Sequence, residues 1–99
     1  IKIPFEKYDI AHSWFIYPIL VENRDNVKKN LEDNGVGTNI SWPFPGYAQK
    51  HLEKYKRTNL KNVETVCSKI IGLPMFYTLN NSQQDYVIEC VINAIKKTK

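Results

Sequence analysis

The spacing of apolar and polar positions divides the chain into extended and helical segments. The segment HSWFIYPILV, residues 12–21, is dense in aromatic and branched side chains, and it predicts a strand that is buried on both faces. Pro18 has no amide hydrogen to give to a neighbouring strand, so it indicates a sheet edge or a bulge. Residues 1–11 have no clear period and predict an irregular lead-in.

An amphipathic helix is predicted over residues 24–34. Val27 and Leu31 are four positions apart and therefore share one face. Gly35 follows and provides the left-handed residue with which helices commonly end. The segment VGTNISW, residues 36–42, then predicts a second strand.

The centre of the chain predicts a loop. Two prolines and a glycine in PFPGY, residues 43–47, fix some dihedral angles and free others, which is typical of a loop. Residues 48–55 have weak helical character. The segment NVETVCSKIIG then carries an apolar helical stripe at positions 63, 66, 67, 70 and 71, and Gly72 is expected to end that helix.

The chain closes with a short strand and a long helix. The segment LPMF, residues 73–76, predicts a third strand, and Ser82 is the expected N-cap of a helix over residues 83–97. A broad apolar stripe on this helix is formed by Val87, Cys90, Val91, Ala94 and Ile95, with Ile88 and Ile92 widening it.

This order of elements predicts an α/β (α+β) fold. We expect a two-layer sandwich in which a small, mostly antiparallel sheet carries helices on one face. The chain has 99 residues, which is enough for a single domain over residues 1–99 and too few for two. It begins without methionine, so we expect a fragment, a processed chain or an excised domain.

The charge and the titratable residues exclude several functions. The net charge of +4 is mild, and we interpret the basic group as a solvated face rather than a nucleic-acid surface. This basic group consists of Lys50, Lys54, Lys56, Arg57 and Lys61. No glycine-rich phosphate loop or serine nucleophile elbow is present, and His12 and His51 are not spaced to hold a metal. We therefore predict no catalytic and no metal-binding residue.

The cysteines and the hydropathy indicate an intracellular protein. Cys67 and Cys90 lie on predicted apolar stripes, and we expect both to be free, buried thiols. No apolar run has the length needed to span a membrane, and no signal peptide is visible.

The segment TNISWPFPGY, residues 38–47, is the one candidate for ligand binding. It places Asn39, Ser41, Trp42 and Tyr47 on a strand end and a stiff loop, together with Phe44. Aromatic faces stack on bases or sugars, while amides and hydroxyls fix the orientation of a ligand. A second interpretation stays open, in which Trp42 and Phe44 cover the edge of the core.

Three segments in order resemble the C-terminal part of the DegT/DnrJ/StrS nucleotide-sugar aminotransferases. They are AHSWFIYPILV, then RDNVKKNLEDNGVGT, and finally VCSKIIGLPMFYTLNNSQQDYVIECVINAI. The last is the most specific, because it sets Leu73 and Pro74 before a turn and Asp85, Tyr86 and Val87 inside the closing helix. The resemblance covers roughly residues 8–97.

The resemblance implies a role within a larger enzyme. It identifies the chain as the C-terminal small domain of a homodimeric bacterial, cytoplasmic enzyme whose large domain binds pyridoxal phosphate. Such enzymes move an amino group, usually from glutamate, to a nucleotide-linked keto sugar for surface polysaccharides or antibiotics. The family's cofactor lysine belongs to the large domain, so this chain alone is expected to bind no cofactor and to be inactive.

Two alternatives come from other classes of function. One is a stand-alone interaction module with the same fold. The other is a small basic nucleic-acid-binding domain that uses the basic group with Tyr47 and Tyr55. A strongly salt-dependent affinity for DNA or RNA would distinguish the latter. The sequence does not determine which sugar or carbon is aminated or which amino donor is used.

Overall fold

Two antiparallel strands form the sheet in the computed structural model of the chain, which describes residues 1–56 and 58–98. Three α-helices and two 3₁₀ turns complete this described part. In chain order the elements are β1 (Tyr17–Leu20), α1 (Arg24–Asp33), a first 3₁₀ turn (Gly46–Ala48), a second 3₁₀ turn (Glu53–Tyr55), α2 (Lys61–Lys69), β2 (Ile70–Leu73) and α3 (Asn81–Lys97). The predicted small antiparallel α+β fold is confirmed.

The sheet buries one of its faces much more fully than the other. β1 pairs with β2 in a register that sets Ile19 opposite Ile71, and both side chains are almost completely buried. Since side chains alternate along a strand, Tyr17 and Leu73 share this face, and both pack against the core. Pro18 lies on the opposite face and is only half-buried. The prediction that this strand is buried on both faces is therefore wrong.

Helices α1 and α3 cover the buried face. Val27 and Leu31 of α1 are fully buried, as their spacing predicts. Cys90, Val91 and Ala94 of α3 meet them in the same core cluster. Burying one such aliphatic side chain stabilises a fold by roughly 1.5–3 kcal/mol, so this cluster is the main source of stability.

The apolar stripe of α3 is narrower than its sequence predicts. Ile88 and Ile92 remain 51% and 47% exposed, so the prediction that they widen the buried stripe is wrong. Val87 and Ile95 pack only partly against the core. α1 and the core residues of the sheet pack on one side of the helix and leave the adjacent isoleucine side open.

The outer edge of β1 has one partner, which explains the proline in this strand. Lys2 and Leu20 exchange two backbone hydrogen bonds, each 2.9 Å long. Continuing that register places Pro4 opposite Pro18, and neither residue has an amide hydrogen to donate. Pairing therefore stops after one bridge, and the prediction of a sheet edge at Pro18 is confirmed.

β1 begins later than predicted because the chain turns at Trp14. The backbone of Trp14 has a φ of 48°, which is incompatible with a strand and rare for a bulky residue. Its amide donates to Nδ1 of His12 at 2.8 Å, and its indole stacks on Tyr17 with ring centroids 5.5 Å apart. These local contacts outweigh the strand propensity of the aromatic residues.

The boundary between α2 and β2 lies before the predicted one. α2 ends at Lys69 and β2 begins at Ile70, so the predicted helix through residue 71 and the predicted strand over 73–76 are both displaced. The carbonyl of Lys69 accepts a 3.0 Å hydrogen bond from the Val21 amide, which ties the end of the helix to the end of β1. Ile71 then enters the core as a strand residue.

The start of α3 uses a different cap from the predicted Ser82. The Asn80 side chain accepts a 2.9 Å hydrogen bond from the Gln83 amide, and the Gln83 side chain accepts one of 3.1 Å from the Asn80 amide. This reciprocal pair is a capping box formed by an amide side chain at each position. The prediction of Ser82 as the cap is therefore wrong by two residues.

Other predicted features take simpler forms. Gly35 has a φ of 75° directly after α1, so the left-handed stop is confirmed. The predicted strand over residues 36–42 is reduced to one bridge between Asn39 and Gly72. The weakly helical residues 48–55 contain 3₁₀ turns rather than an α-helix.

The two cysteines are free and buried, as predicted. Cys90 belongs to the main core cluster, whereas Cys67 is buried on α2. No helix in residues 1–56 and 58–98 is long and apolar enough to cross a membrane.

Candidate functional site

A pocket of about 170 Å³ opens on the less buried face of the sheet. We call it the sheet-face pocket. It is lined by Phe15, Ile16, Pro18, Asn39, Ser41, Ile70, Gly72, Leu73 and Met75. Strand residues supply an apolar floor, and an amide and a hydroxyl supply a polar rim. This combination suits a small ligand that has both apolar ring atoms and hydroxyl groups.

The bridge between Asn39 and Gly72 brings the polar rim onto the sheet. The Gly72 amide donates to the Asn39 carbonyl at 2.7 Å, and the Asn39 amide donates back at 3.1 Å. A Cβ on Gly72 would lie 3.2 Å from that carbonyl oxygen, so glycine permits the close approach. The Asn39 side chain then donates to Ser41 Oγ at 3.2 Å. Two predicted site residues are thus brought together.

Trp42 lies next to Ser41 in sequence but is not among the residues that line the pocket. Its side chain is 69% exposed, and Phe44 is 51% exposed. Neither aromatic ring belongs to the core cluster or to the apolar side chains packed against it. The structure therefore contradicts the interpretation in which they cover the core edge, and it leaves both rings available for a contact.

Tyr47 does not line the sheet-face pocket, because its side chain contacts α2 instead. Its hydroxyl donates a hydrogen bond to Glu64 Oε1 on α2. That bond is the main cause that raises the pKa of Tyr47 to about 12, and desolvation and the negative charge of Glu64 contribute less. The same bond lowers the pKa of the Glu64 carboxyl. The hydroxyl of Tyr47 therefore stays protonated and is already occupied by a partner within the chain.

Sequence reasoning missed the part that Glu64 plays beside the loop. Its carboxylate oxygen also lies 3.5 Å from Lys56 Nζ, and the same ammonium lies 4.4 Å from the centroid of the Tyr47 ring. The three residues lie in three different segments of the chain, so no spacing within one helix or strand indicates their association. Only the placement of the loop against α2 shows it.

A larger groove of about 570 Å³ lies between the turn after α1 and the start of α3. No charged residue and none of the four predicted site residues lines it. On one wall, the Tyr86 hydroxyl donates a 2.9 Å hydrogen bond to the Asn34 carbonyl. This bond fixes the position of Tyr86, and two other polar residues of the groove, Asn80 and Gln83, are bonded to each other in the capping box.

The arrangement of elements is shared with a known enzyme structure. A DegT/DnrJ/EryC1/StrS aminotransferase from Brucella abortus superposes with a TM-score of 0.87 and 28% sequence identity. The superposition covers 95% of this chain and 26% of that chain.

A sequence profile decides the family. The profile of the DegT/DnrJ/EryC1/StrS aminotransferase family matches residues 1–92. The chain belongs to this aminotransferase family. The resemblance drawn from the three sequence segments is therefore confirmed.

Two relatives in this aminotransferase family are named as aminotransferases of sugar substrates. The chain is 24% identical over 91 residues to dTDP-3-amino-3,6-dideoxy-alpha-D-galactopyranose transaminase of Aneurinibacillus thermoaerophilus, covering 92% of this chain and 25% of the relative. It is 30% identical over 92 residues to 3-oxo-glucose-6-phosphate:glutamate aminotransferase of Bacillus subtilis, covering 87% of this chain and 21% of the relative. The chain thus spans about a quarter of the length of these aminotransferases.

The described lysines do not fit the pyridoxal phosphate that the family implies. An imine with this cofactor requires a lysine amine that faces a pocket. No lysine among the described residues lines the sheet-face pocket or the larger groove. Lys69 lines a polar cleft, but its ammonium lies 2.5 Å from the Glu22 carboxylate. Lys50 and Lys54 line only a shallow surface cleft, which they share with His51 and Glu53. No catalytic step through the cofactor follows from these residues.

Neither histidine of this aminotransferase chain lines the sheet-face pocket. Nδ1 of His12 accepts the Trp14 amide hydrogen, and His51 lies on the surface beside Lys50 and Lys54. No cluster of three metal-ligating side chains is found in residues 1–56 and 58–98. Within the predicted basic group, Lys56 pairs with Glu64. Arg57, which belongs to the same prediction, lies outside the described residues.

Proposed function

We propose that this chain is the C-terminal small domain of a sugar aminotransferase that uses pyridoxal phosphate. The aligned relatives are about four times longer, and the described lysines do not fit the cofactor. The cofactor lysine then belongs to the large domain, the small domain is inactive alone, and the working enzyme is a bacterial, cytoplasmic homodimer.

The role that we propose for this domain, binding part of the sugar, is based on the sheet-face pocket. An apolar floor with the Asn39 amide and the Ser41 hydroxyl on its rim matches the mixed surface of a sugar. Asn39 and Ser41 provide hydrogen bonds to sugar hydroxyls, and the exposed Trp42 provides a stacking surface. The hydroxyl of Tyr47 is bonded to Glu64, so Tyr47 contributes through its position in the loop.

Exposed apolar residues around the pocket support docking onto a large domain. Phe15 is 90% exposed, and Met75 is 37% exposed. Both line the pocket, and Trp42 follows Ser41 beside it. A large domain that packs over this face covers these side chains and closes the site around the substrate.

The proposed substrate is a nucleotide-linked keto sugar, with glutamate as the amino donor. One relative is named for a dTDP-linked sugar and another for a sugar 6-phosphate and glutamate. The nucleotide-linked class is the one that feeds surface polysaccharides and antibiotic sugars. The enzyme assay must therefore compare both kinds of sugar.

The test measures transamination by the longer polypeptide that contains this domain. We expect amino transfer from glutamate to a nucleotide-linked 3-keto or 4-keto sugar. Asn39→Ala and Ser41→Ala should raise the KM for the sugar, because each removes a hydrogen-bonding group from the pocket rim. Thr58→Ala, on an exposed connector, is the control. Absence of transamination with every keto sugar would reject the proposed function, and activity with sugar phosphates alone would reject the nucleotide-linked substrate.

A further inference from the structure

The loop segment from Trp42 to Lys56 is bonded mainly to itself. Its backbone hydrogen bonds all join residues within the segment, among the residues that the structure describes. The first 3₁₀ turn closes through the Ala48 amide on the Pro45 carbonyl, at 2.9 Å. These bonds shape the segment but do not attach it to the rest of the domain. We refer to residues 42–56 as the site loop.

The polar ties from the site loop to the helices converge on one side chain. The Tyr47 hydroxyl donates to Glu64 Oε1, and Lys56 Nζ lies 3.5 Å from the same oxygen. Among described residues these are the side-chain hydrogen bond and the ion pair that join the site loop to another element. The Lys56 ammonium also lies 4.4 Å from the centroid of the Tyr47 ring, which joins the last residue of the loop to its first 3₁₀ turn.

This geometry differs from a simple surface ion pair. An isolated exposed pair contributes little, because two flexible side chains must be held together in water. Here one carboxylate binds two groups that lie on opposite sides of the second 3₁₀ turn, and the two groups also contact each other. Removing the carboxylate therefore releases both attachments at once.

We propose that Glu64 is a positioning residue that anchors the site loop to α2. It acts through Tyr47 and Lys56 and sets the position from which Trp42 is presented beside the sheet-face pocket. The anchoring itself can be measured on this chain, whereas its consequence for the sugar substrate rests on the proposed function.

The first test measures how readily a protease cleaves the site loop in the 99-residue chain. Trypsin cleavage after Lys50 and Lys54 reports the opening of the loop, and cleavage sites are identified by mass spectrometry. Glu64→Ala should accelerate this cleavage by about threefold to tenfold. Glu89→Ala, an exposed glutamate on α3, is the matched control and should leave the rate unchanged. Equal cleavage rates for the two variants would overturn the proposal.

The second test follows the two tryptophans separately. In a chain labelled with 5-fluorotryptophan, Trp14→Phe assigns the two ¹⁹F resonances. Glu64→Ala should shift and narrow the Trp42 resonance and leave that of Trp14 in place, which shows that the domain remains folded. An unchanged Trp42 resonance would contradict anchoring. If Glu64→Ala fails to fold, Tyr47→Phe provides the same test by removing one attachment.

Kinetic measurements on the longer enzyme distinguish a failure of this inference from a failure of the proposed function. Glu64→Ala should raise the KM for the sugar and leave kcat nearly unchanged, and Tyr47→Phe should reproduce part of the effect. An enzyme without transaminase activity would reject the proposed function but leave the loop measurements valid. An active enzyme in which Glu64→Ala alters neither KM nor loop cleavage would reject the anchor alone.

Discussion

Gly72 shows how a single residue depends on a distant part of the chain. Its position after an apolar helical stripe predicts a helix stop, yet it pairs with Asn39 as part of β2. The requirement for glycine comes from a carbonyl contributed by another segment. The local sequence therefore indicates that glycine is required at this position, but it wrongly attributes the requirement to the end of a helix.

Gly72→Ala should destabilise the domain and disturb the pocket rim. The new Cβ would lie 3.2 Å from the Asn39 carbonyl oxygen, so the bridge must shift by a few tenths of an ångström. We expect a loss of about 1 kcal/mol in the free energy of unfolding, measured by urea denaturation. Gly37→Ala is the matched control, because a Cβ there meets no atom within 4 Å. Equal stability of the two variants would show that the close approach has no energetic consequence.

The attachment of the site loop to α2 should depend on pH, because it is made through the Glu64 carboxylate. The hydrogen bond from Tyr47, followed by the charge of Lys56, lowers the pKa of Glu64 from its usual 4.5. A lowered pKa means that the anchor is fully present above pH 4.5 and is lost as the pH falls through the lowered value.

A pH titration of the Trp42 ¹⁹F resonance checks this dependence. The resonance should stay constant at neutral pH and shift only below pH 4.5, the usual pKa of a glutamate. In Glu64→Gln, which keeps an acceptor for Tyr47 but cannot ionise, that transition should disappear. A transition of the same size and midpoint in both proteins would assign it to another group.

At the scale of elements, the sequence predicts which helices and strands form better than it predicts the residues at which they begin and end. The α1 stripe of Val27 and Leu31 is buried as expected, because its spacing is set within one helix. The α2–β2 boundary is displaced because Ile70 and Ile71 fit a helical stripe as well as a strand. Pairing with β1 decides between the two, and that pairing is not encoded locally.

Two neighbouring residues of α3 test which face of the helix is buried. Val91 is 5% exposed, whereas Ile92 is 47% exposed. Val91→Ala should lower the free energy of unfolding by about 1–3 kcal/mol through lost burial and an incompletely filled space. Ile92→Ala removes more atoms but should cost much less. Chemical denaturation of both variants distinguishes the faces, and equal midpoints would contradict the described packing.

At the scale of the whole molecule, the candidate site was only partly predictable. Asn39 and Ser41 are brought to one pocket, while Tyr47 is held by Glu64 and Trp42 stays on the surface. An amide and a hydroxyl two positions apart can be recognised in a sequence. The floor beneath them comes from both strands, and the anchor of the loop comes from α2, so neither is visible in the segment itself.

Trp42→Ala should affect substrate binding more than folding. The indole is 69% exposed, so its removal takes little apolar surface out of the core, and the thermal midpoint of the isolated chain should change little. In the longer enzyme the same change should raise the KM for the sugar, because the stacking surface is lost. Thermal melts and sugar titrations on one variant provide the comparison. A large fall in Tm with unchanged sugar affinity would refute the binding role.

The binding of pyridoxal phosphate tests the central claim that this chain is a small domain without its own cofactor site. The purified chain and the longer polypeptide are incubated with the cofactor and desalted, and the absorbance of the imine is recorded. The longer polypeptide should retain a stoichiometric imine band, and the 99-residue chain should retain none. A stable, stoichiometric imine on the short chain that disappears when one particular lysine is substituted would contradict the account.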